Sequence, residues 1–140
     1  MRGSHLIKHW STTQTTVALS SGDAELKGIL KGATEGLRLQ SVGRDLGLEH
    51  CVNIYTDSSA AMGMVARKGI GRVRHIEVGE LWIQDAVKAK LLTVNKVKGE
   101  DNPADILTKH VEHAKTQQHC HFMGLVPECG RPESAPATTA

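Results

Sequence analysis

Three carboxylates in this chain stand where chemistry is usually done. Asp57 closes the alternating, β-forming stretch Val52 to Thr56, and Ser58-Ser59 then open a short helical run. A carboxylate at the tip of a strand lies where open α/β folds place ligands, just beyond the strands' carboxyl ends. Glu25 falls in the first turn of a long helical pattern, and Asp105 in the first turn of a last short one. Each also has a plain reading of its own: Asp caps helices, and acidic side chains suit the positive end of the helix dipole. Grouped carboxylates repel one another unless they hold a hard divalent cation. Held that way, Mg²⁺ or Mn²⁺ activates water and steadies the leaving oxygen when a phosphodiester is cut. Whether the three meet is left open by spacing alone.

The elements that must position them follow from periodicity. His5 to Ser11 and Thr15 to Ser20 read as two short strands, paired as an antiparallel hairpin. Ser20, Ser21 and Asp23 offer oxygen acceptors to the free N–H groups of a helix start. A helix is expected over about Asp23 to Leu46, with Leu26, Ile29, Leu30, Ala33 and Leu37 as its buried stripe and Gly47 as its left-handed stop. Gly28, Gly32 and Gly36 recur every fourth residue along it. Each costs about 1 kcal/mol against Ala, so the strip predicts close approach of the sheet, through Gly28 and Gly32 in particular.

After the Asp57 strand, Ser59 to Arg67 predicts a short helix, and Lys68 to Arg74 a basic, Gly-containing loop. His75 to Lys90 predicts an amphipathic helix and Leu91 to Val97 a strand, followed by the polar loop Lys98 to Asn102. Asn102-Pro103 suits the start of the last short helix, Asn as cap and Pro at its first position. Helical periodicity fades beyond about Lys115, and from Pro127 the tail is rich in Pro, Ser, Thr and Ala, a composition that favours disorder.

Composition narrows the class. A chain of 140 residues makes one domain plus at most a tail. With 39% hydrophobic but only 3% aromatic residues, its core must be aliphatic and light. A net charge of +2 permits a polyanionic partner without requiring one. No apolar run is long enough to span a membrane, and no secretory leader pattern is present. Cys51, Cys120 and Cys129 are odd in number and scattered, which argues against a secreted disulfide scaffold and for an intracellular, reducing setting. The opening Met-Arg-Gly-Ser-His reads either as an expression-tag scar or as native sequence. His113, His119, Cys120, His121 and Cys129 are zinc-type ligands, but their spacing fits no familiar finger.

Six ordered segments carry a family resemblance: Lys8-His9-Trp10-Ser11, Thr16-Val17-Ala18-Leu19-Ser20-Ser21, Ala24-Glu25-Leu26, Tyr55-Thr56-Asp57-Ser58, Arg74-His75-Ile76 and Ala104-Asp105-Ile106-Leu107-Thr108-Lys109. In order and spacing the chain resembles the ribonuclease H domain of copia-class retrotransposon Pol polyproteins, the domain that follows their reverse transcriptase. The resemblance implies an α/β fold, a ribonuclease H-like mixed sheet flanked by helices, over residues 5–111. A C-terminal extension at 112–126 and a disordered tail at 127–140 would follow. Cys120-His121-Phe122-Met123-Gly124-Leu125 resembles the closing stretch of such domains, a reading that competes with zinc.

By the same resemblance the chain would cut the RNA strand of RNA–DNA hybrids with Mg²⁺ or Mn²⁺. Glu25, Asp57 and Asp105 match three of the family's four acidic ligands, both catalytic and metal-binding. The fourth belongs to a first strand resembling Asp-Ala-Asp-Trp-Ala-Gly, which this sequence lacks, so the domain is expected to be incomplete at its N-terminus and its cleavage impaired. Ser21, Gly22 and Ser58 match positions near the hybrid's backbone. Arg72, Arg74, His75 and Lys109, with Lys68, could meet phosphates or simply face solvent. The implied partners are RNA–DNA hybrid and an adjoining reverse transcriptase domain, with no membrane. A second reading keeps the fold as a non-catalytic module that binds nucleic acid or reverse transcriptase.

Overall fold

The computed structural model describes residues 1, 3, 5–12, 14, 18–69, 71 and 80–125. The chain divides into two compact units, Thr12–Asn102 and the pair of segments Met1–Ser11 with Pro103–Ala140.

The larger unit is a small α/β domain. Its order is helix α1 (Ser21–Asp45), strand β1 (Val52–Thr56), helix α2 (Ser59–Ala66), helix α3 (Trp82–Lys88) and strand β2 (Leu92–Lys96). β1 and β2 pair in parallel, Val52 opposite Leu92 and Thr56 opposite Lys96. Parallel strands cannot be joined by a tight turn, so the chain between them crosses over through α2 and α3. Alternation sends Val52, Ile54, Leu92 and Val94 to one face, where they pack with the buried helix residues Leu26, Ile29, Ala33, Ala61, Met64, Val65, Ile83 and Ala86. On the other face Thr93 Oγ1 donates to Asn53 Oδ1 at 2.6 Å, and Tyr55 is exposed. The core is aliphatic and alanine-rich, as the composition requires.

α1 begins where its oxygen-bearing residues allow. Ser20 caps it by accepting from Asp23 N–H at 3.1 Å, and the Asp23 carboxylate reaches back to accept from Leu19 N–H at 3.2 Å. It ends at Gly47, whose φ of +73° is the left-handed conformation, with Leu48 N–H donating to Gly43 O and Gly47 N–H to Arg44 O. That is the Schellman ending expected of this glycine.

The glycine strip behaves differently from expectation. A Cβ built on Gly28 or Gly32 would meet nothing within 4 Å, and Gly28 is exposed. Only at Gly36 does the sheet come close, where a Cβ would stand 2.7 Å from Val52 Cγ1. The reason is angular. At about 100° per residue, every fourth position drifts about 40° around the helix. Gly28 therefore lies opposite the Leu26–Ile29–Ala33–Leu37 stripe, and the strip comes round to it only by Gly36. The close approach nearest the start of α1 is instead Gly22, whose Cβ would meet Met64 Cε at 3.0 Å and Ala60 Cβ at 3.1 Å.

The N-terminal hairpin is not formed among the described residues. Residues 6–12 are irregular, and His5 takes part in an isolated bridge and not in a strand. Leu6 N–H donates instead to Met123 O at 3.1 Å, within the smaller unit. A lone two-stranded ribbon is marginal in water, and Ile7 finds so little cover that it is half exposed. Residues 15–17 of the second expected strand lie outside the described residues, as do residues 75–79 of the expected helix 75–90. Its described part is α3.

The smaller unit holds a five-residue 3-10 helix at Pro103–Leu107 and helix α4 (His113–Phe122). Fading periodicity gave no sign of α4. Its sequence, His-Ala-Lys-Thr-Gln-Gln-His-Cys-His-Phe, has no apolar stripe, and of its side chains only His119 is buried. It too ends in a Schellman motif, at Gly124 with φ +69°.

Candidate functional site

The most organised polar site is the β1–α2 turn. Asp57 sits at the carboxyl end of β1, beside the carboxyl end of β2. Three hydrogen bonds fix the backbone around it. Val97 N–H donates to Thr56 O at 3.0 Å, Ser58 N–H donates to Thr56 Oγ1 at 3.1 Å, and Ala61 N–H donates to Ser58 Oγ at 3.2 Å. Thr56 is buried although polar, because its hydroxyl is spent on this turn. Ser58 is thus the N-cap of α2, the plain role its residue type suggests.

The Asp57 carboxylate is half-buried and makes no hydrogen bond or ion pair with any described residue. Its Oδ2 faces Gly99, where a Cβ would stand at 3.5 Å, so the bare glycine leaves room beside the carboxylate. Lys96, the last residue of β2, reaches across the strand ends. Its Nζ donates to the main-chain carbonyl of Asp57 and to Ser59 Oγ, the latter at 2.7 Å. Parity explains the reach: Lys96 shares the inward face of Leu92 and Val94, but at the strand end that face opens onto the turn.

Glu25 follows the first turn of α1 and is exposed. That turn packs through Gly22 onto Ala60 of α2, so Glu25 and Asp57 belong to the same end of the larger unit. Ser21 is exposed, whereas Gly22 is buried in this packing. Asp105 belongs to the smaller unit, in the 3-10 helix Pro103–Leu107. Its Oδ1 lies 3.1 Å from Lys109 Nζ, and its main-chain carbonyl accepts from Lys109 N–H at 2.8 Å. Lys109 is therefore held one turn along as the ion-pair partner of Asp105. Arg72, Arg74 and His75 lie outside the described residues.

Among the described residues no three His, Cys, Asp or Glu side chains gather as a metal-holding group. Asp57 offers a carboxylate of the kind hard cations take, but an ammonium already stands at its carbonyl, and Asp105 is engaged by another. As arranged, these residues do not fit a ready divalent-metal site. The described C-terminal zinc-type residues form no metal-holding group either. His119, Cys120 and His121 are consecutive on α4 and fan out at about 100° intervals, with His119 buried and His121 exposed. Cys129 lies outside the described residues.

Sequence reasoning missed Lys96, Thr56 and Gly99 at this site. The signal for Lys96 was present, since a lysine on the inward parity of a strand must find oxygens or the strand's end. Gln84 was missed as well. From α3 it holds the loop after α2 by donating to Met64 O and Gly69 O and accepting from Gly69 N–H.

No family model and no solved structure matches the chain. Curated relatives do, two of which follow. The chain is 32% identical over 117 residues to the Retrovirus-related Pol polyprotein from transposon TNT 1-94 of Nicotiana tabacum, a match covering 82% of this chain and 9% of that protein. It is 29% identical over 134 residues to the Retrovirus-related Pol polyprotein from transposon RE2 of Arabidopsis thaliana, covering 91% of this chain and again 9% of the relative. The chain thus spans about a tenth of the length of the polyproteins it matches. The shared stretch takes in most of the α/β unit just described, and this chain is related to retrotransposon Pol polyproteins.

Proposed function

We propose that the chain is the ribonuclease H-like segment of a retrotransposon Pol polyprotein and that its ligand is RNA–DNA hybrid. The observation that carries this reading is Asp57. It ends a β-strand in a parallel β–α–β arrangement, its carboxylate makes no hydrogen bond with any described residue, and Lys96 holds its main-chain carbonyl and Ser59 beside it. Relationship to Pol polyproteins supports the reading, as does the placement of Glu25 at the same end of the unit. In it, Glu25, Asp57 and Asp105 would serve as the acidic residues for Mg²⁺ or Mn²⁺ only after Lys96 and Lys109 give way, and Ser21, Ser58 and Lys109 contact the hybrid's backbone along with Arg72, Arg74 and His75. The activity is endonucleolytic cleavage of the RNA strand, and an adjoining reverse transcriptase domain is the natural neighbour.

One observation favours a second reading for the isolated chain. Lys96 and Lys109 stand against two of the three acidic residues, so the isolated chain is better equipped to hold a polyanion than to hold metal. On that reading it is a non-catalytic module that binds hybrid without cutting it. The experiment is a binding and cleavage assay on hybrid, duplex DNA and duplex RNA of one sequence, with Mg²⁺ and with Mn²⁺. Preference for hybrid with slow RNA-strand cleavage, lost in Asp57→Asn, supports the proposal. No preference for hybrid and no cleavage would remove it.

A further inference from the structure

α1 is apolar on two opposite sides. One side is the stripe Leu26, Ile29, Ala33 and Leu37, which packs into the core of the larger unit. The other is Leu39, Val42 and Leu46, which are 42%, 56% and 71% exposed. At about 100° per residue these three fall within about 60° of one another, on the side turned away from Ala33. Single apolar residues on a surface need no explanation. Three of them spaced by three and then four residues form a stripe, and that spacing is the seam along which helices pair.

Charge decides what fits the stripe. Arg38 and Asp45 lie along one flank of it, about 20° apart around the helix. Both are exposed, and the Arg38 side chain stays 74% exposed although it reaches Glu35 of its own helix at 3.7 Å. In a two-fold, antiparallel pair each flank meets itself in reverse order. A two-fold axis at Val42 then sets Leu39 beside Leu46 of the second copy and Arg38 beside its Asp45. Each pairing centres within half a residue of Val42, about 0.75 Å along the helix. A parallel pair would instead set Arg38 against Arg38 and Asp45 against Asp45, and like charges repel.

We infer that this face of α1 takes a second copy of the chain, helix against helix and antiparallel, with Val42 on the two-fold axis. The face shares no residue with the ribonuclease reading, so each stands or falls by itself. Three apolar side chains from each copy make a small interface. Interfaces that bury less than about 1,200 Å² belong to transient encounters, so the pairing is set by concentration.

Sedimentation of the full chain over about 0.01–1 mM tests this. A monomer–dimer equilibrium is expected. Val42→Lys sets two ammonium groups against each other at the axis and should abolish it, while thermal unfolding stays close to that of the unaltered chain because the position is exposed. Arg38→Asp and Asp45→Arg should each weaken association about tenfold, and the two together should restore it. With Cys51, Cys120 and Cys129 replaced by Ser, a short bismaleimide should join copies of Val42→Cys. It should not join copies of Lys31→Cys, which the same geometry holds about 33 Å apart. A chain that stays monomeric at about 1 mM would overturn the inference, as would a dimer that survives Val42→Lys. A double exchange no better than either single one, or equal cross-linking at both positions, would overturn it too.

Discussion

Gln84 grips Gly69 from both sides: its Oε1 accepts from Gly69 N–H at 2.7 Å while its Nε2 donates to Gly69 O at 3.1 Å. The same Nε2 also donates to Met64 O at 2.8 Å. One amide side chain on α3 therefore closes the end of α2 and fixes the start of the segment that carries Lys68. The planar amide suits this, since it offers donor and acceptor side by side. Gly69, with φ +77°, takes a backbone shape that places its own N–H and C=O toward the amide.

Gln84→Leu should cost about 1–3 kcal/mol, because it leaves part-buried backbone groups of Gly69 and Met64 without their partners. Gln84→Glu should cost at least as much, since it keeps the acceptor to Gly69 N–H but sets a carboxylate oxygen against the Gly69 and Met64 carbonyls. Chemical denaturation gives the global cost. Amide exchange should quicken first at Gly69, and equal exchange there in Gln84→Leu and the unaltered chain would show that the grip contributes nothing.

Helix endings supply a prediction of opposite signs. α1 and α3 both end in Schellman motifs, but the left-handed position is Gly47 in one and Lys90, with φ +58°, in the other. At Lys90, Leu91 N–H donates to Ala86 O and Lys90 N–H to Val87 O, both at 3.0 Å. A side chain in that conformation costs about 1 kcal/mol or somewhat more. Lys90→Gly should therefore stabilise the chain by about 0.5–1 kcal/mol after glycine's extra entropy in the unfolded state. Gly47→Ala should destabilise it by about 1 kcal/mol. Melting temperatures should shift about 2–4 °C per kcal/mol, in opposite directions.

The glycines of α1 divide in the same way. Gly28→Ala meets nothing within 4 Å and should stabilise the helix by up to about 1 kcal/mol. Gly36→Ala would press a methyl to 2.7 Å from Val52 Cγ1 and should cost about 1–3 kcal/mol. Stabilisation at both positions in thermal unfolding would mean that α1 does not sit on β1 as described.

How much of this was legible depends on whether the cause was local. β1 was read with its bounds intact, because Val-Asn-Ile-Tyr-Thr alternates and is followed by Asp-Ser-Ser, a break in pattern and a cap together. α1 was read nearly in full for the same reason, a cap, a stripe and a terminal glycine. The glycine strip misleads because a four-residue repeat is straight in the sequence but winds around the helix. α4 went unseen because it has no apolar stripe at all. At the site, Asp57 could be singled out by its position at a strand end. Lys96 could not, since its role depends on the parallel pairing that brings the end of β2 beside the β1–α2 turn. Lys90 in a left-handed cap has no sequence signature, as that position usually belongs to glycine.

The final prediction concerns cleavage. The unaltered chain should cut the RNA strand of a hybrid slowly with Mg²⁺, because the ammonium of Lys96 holds oxygens at Asp57 and that of Lys109 holds the Asp105 carboxylate. Phosphodiester cleavage of this type relies on ions fixed at both the attacking and the leaving oxygen, and misplacement by about an ångström costs about a hundredfold in rate. Lys109→Met should test the smaller unit's share: it frees Asp105, yet it removes a cation that the hybrid's phosphates would use. Its expected signature is split, with weaker hybrid binding and a flatter salt dependence, but no loss in the rate at saturating hybrid. Asp57→Asn should abolish whatever Mg²⁺-dependent cleavage the chain has while leaving hybrid affinity close to unaltered. Fast cleavage by the unaltered chain, with Asp57→Asn inactive, would show that the lysines yield readily to metal. Cleavage that survives Asp57→Asn would remove Asp57 from the chemistry altogether.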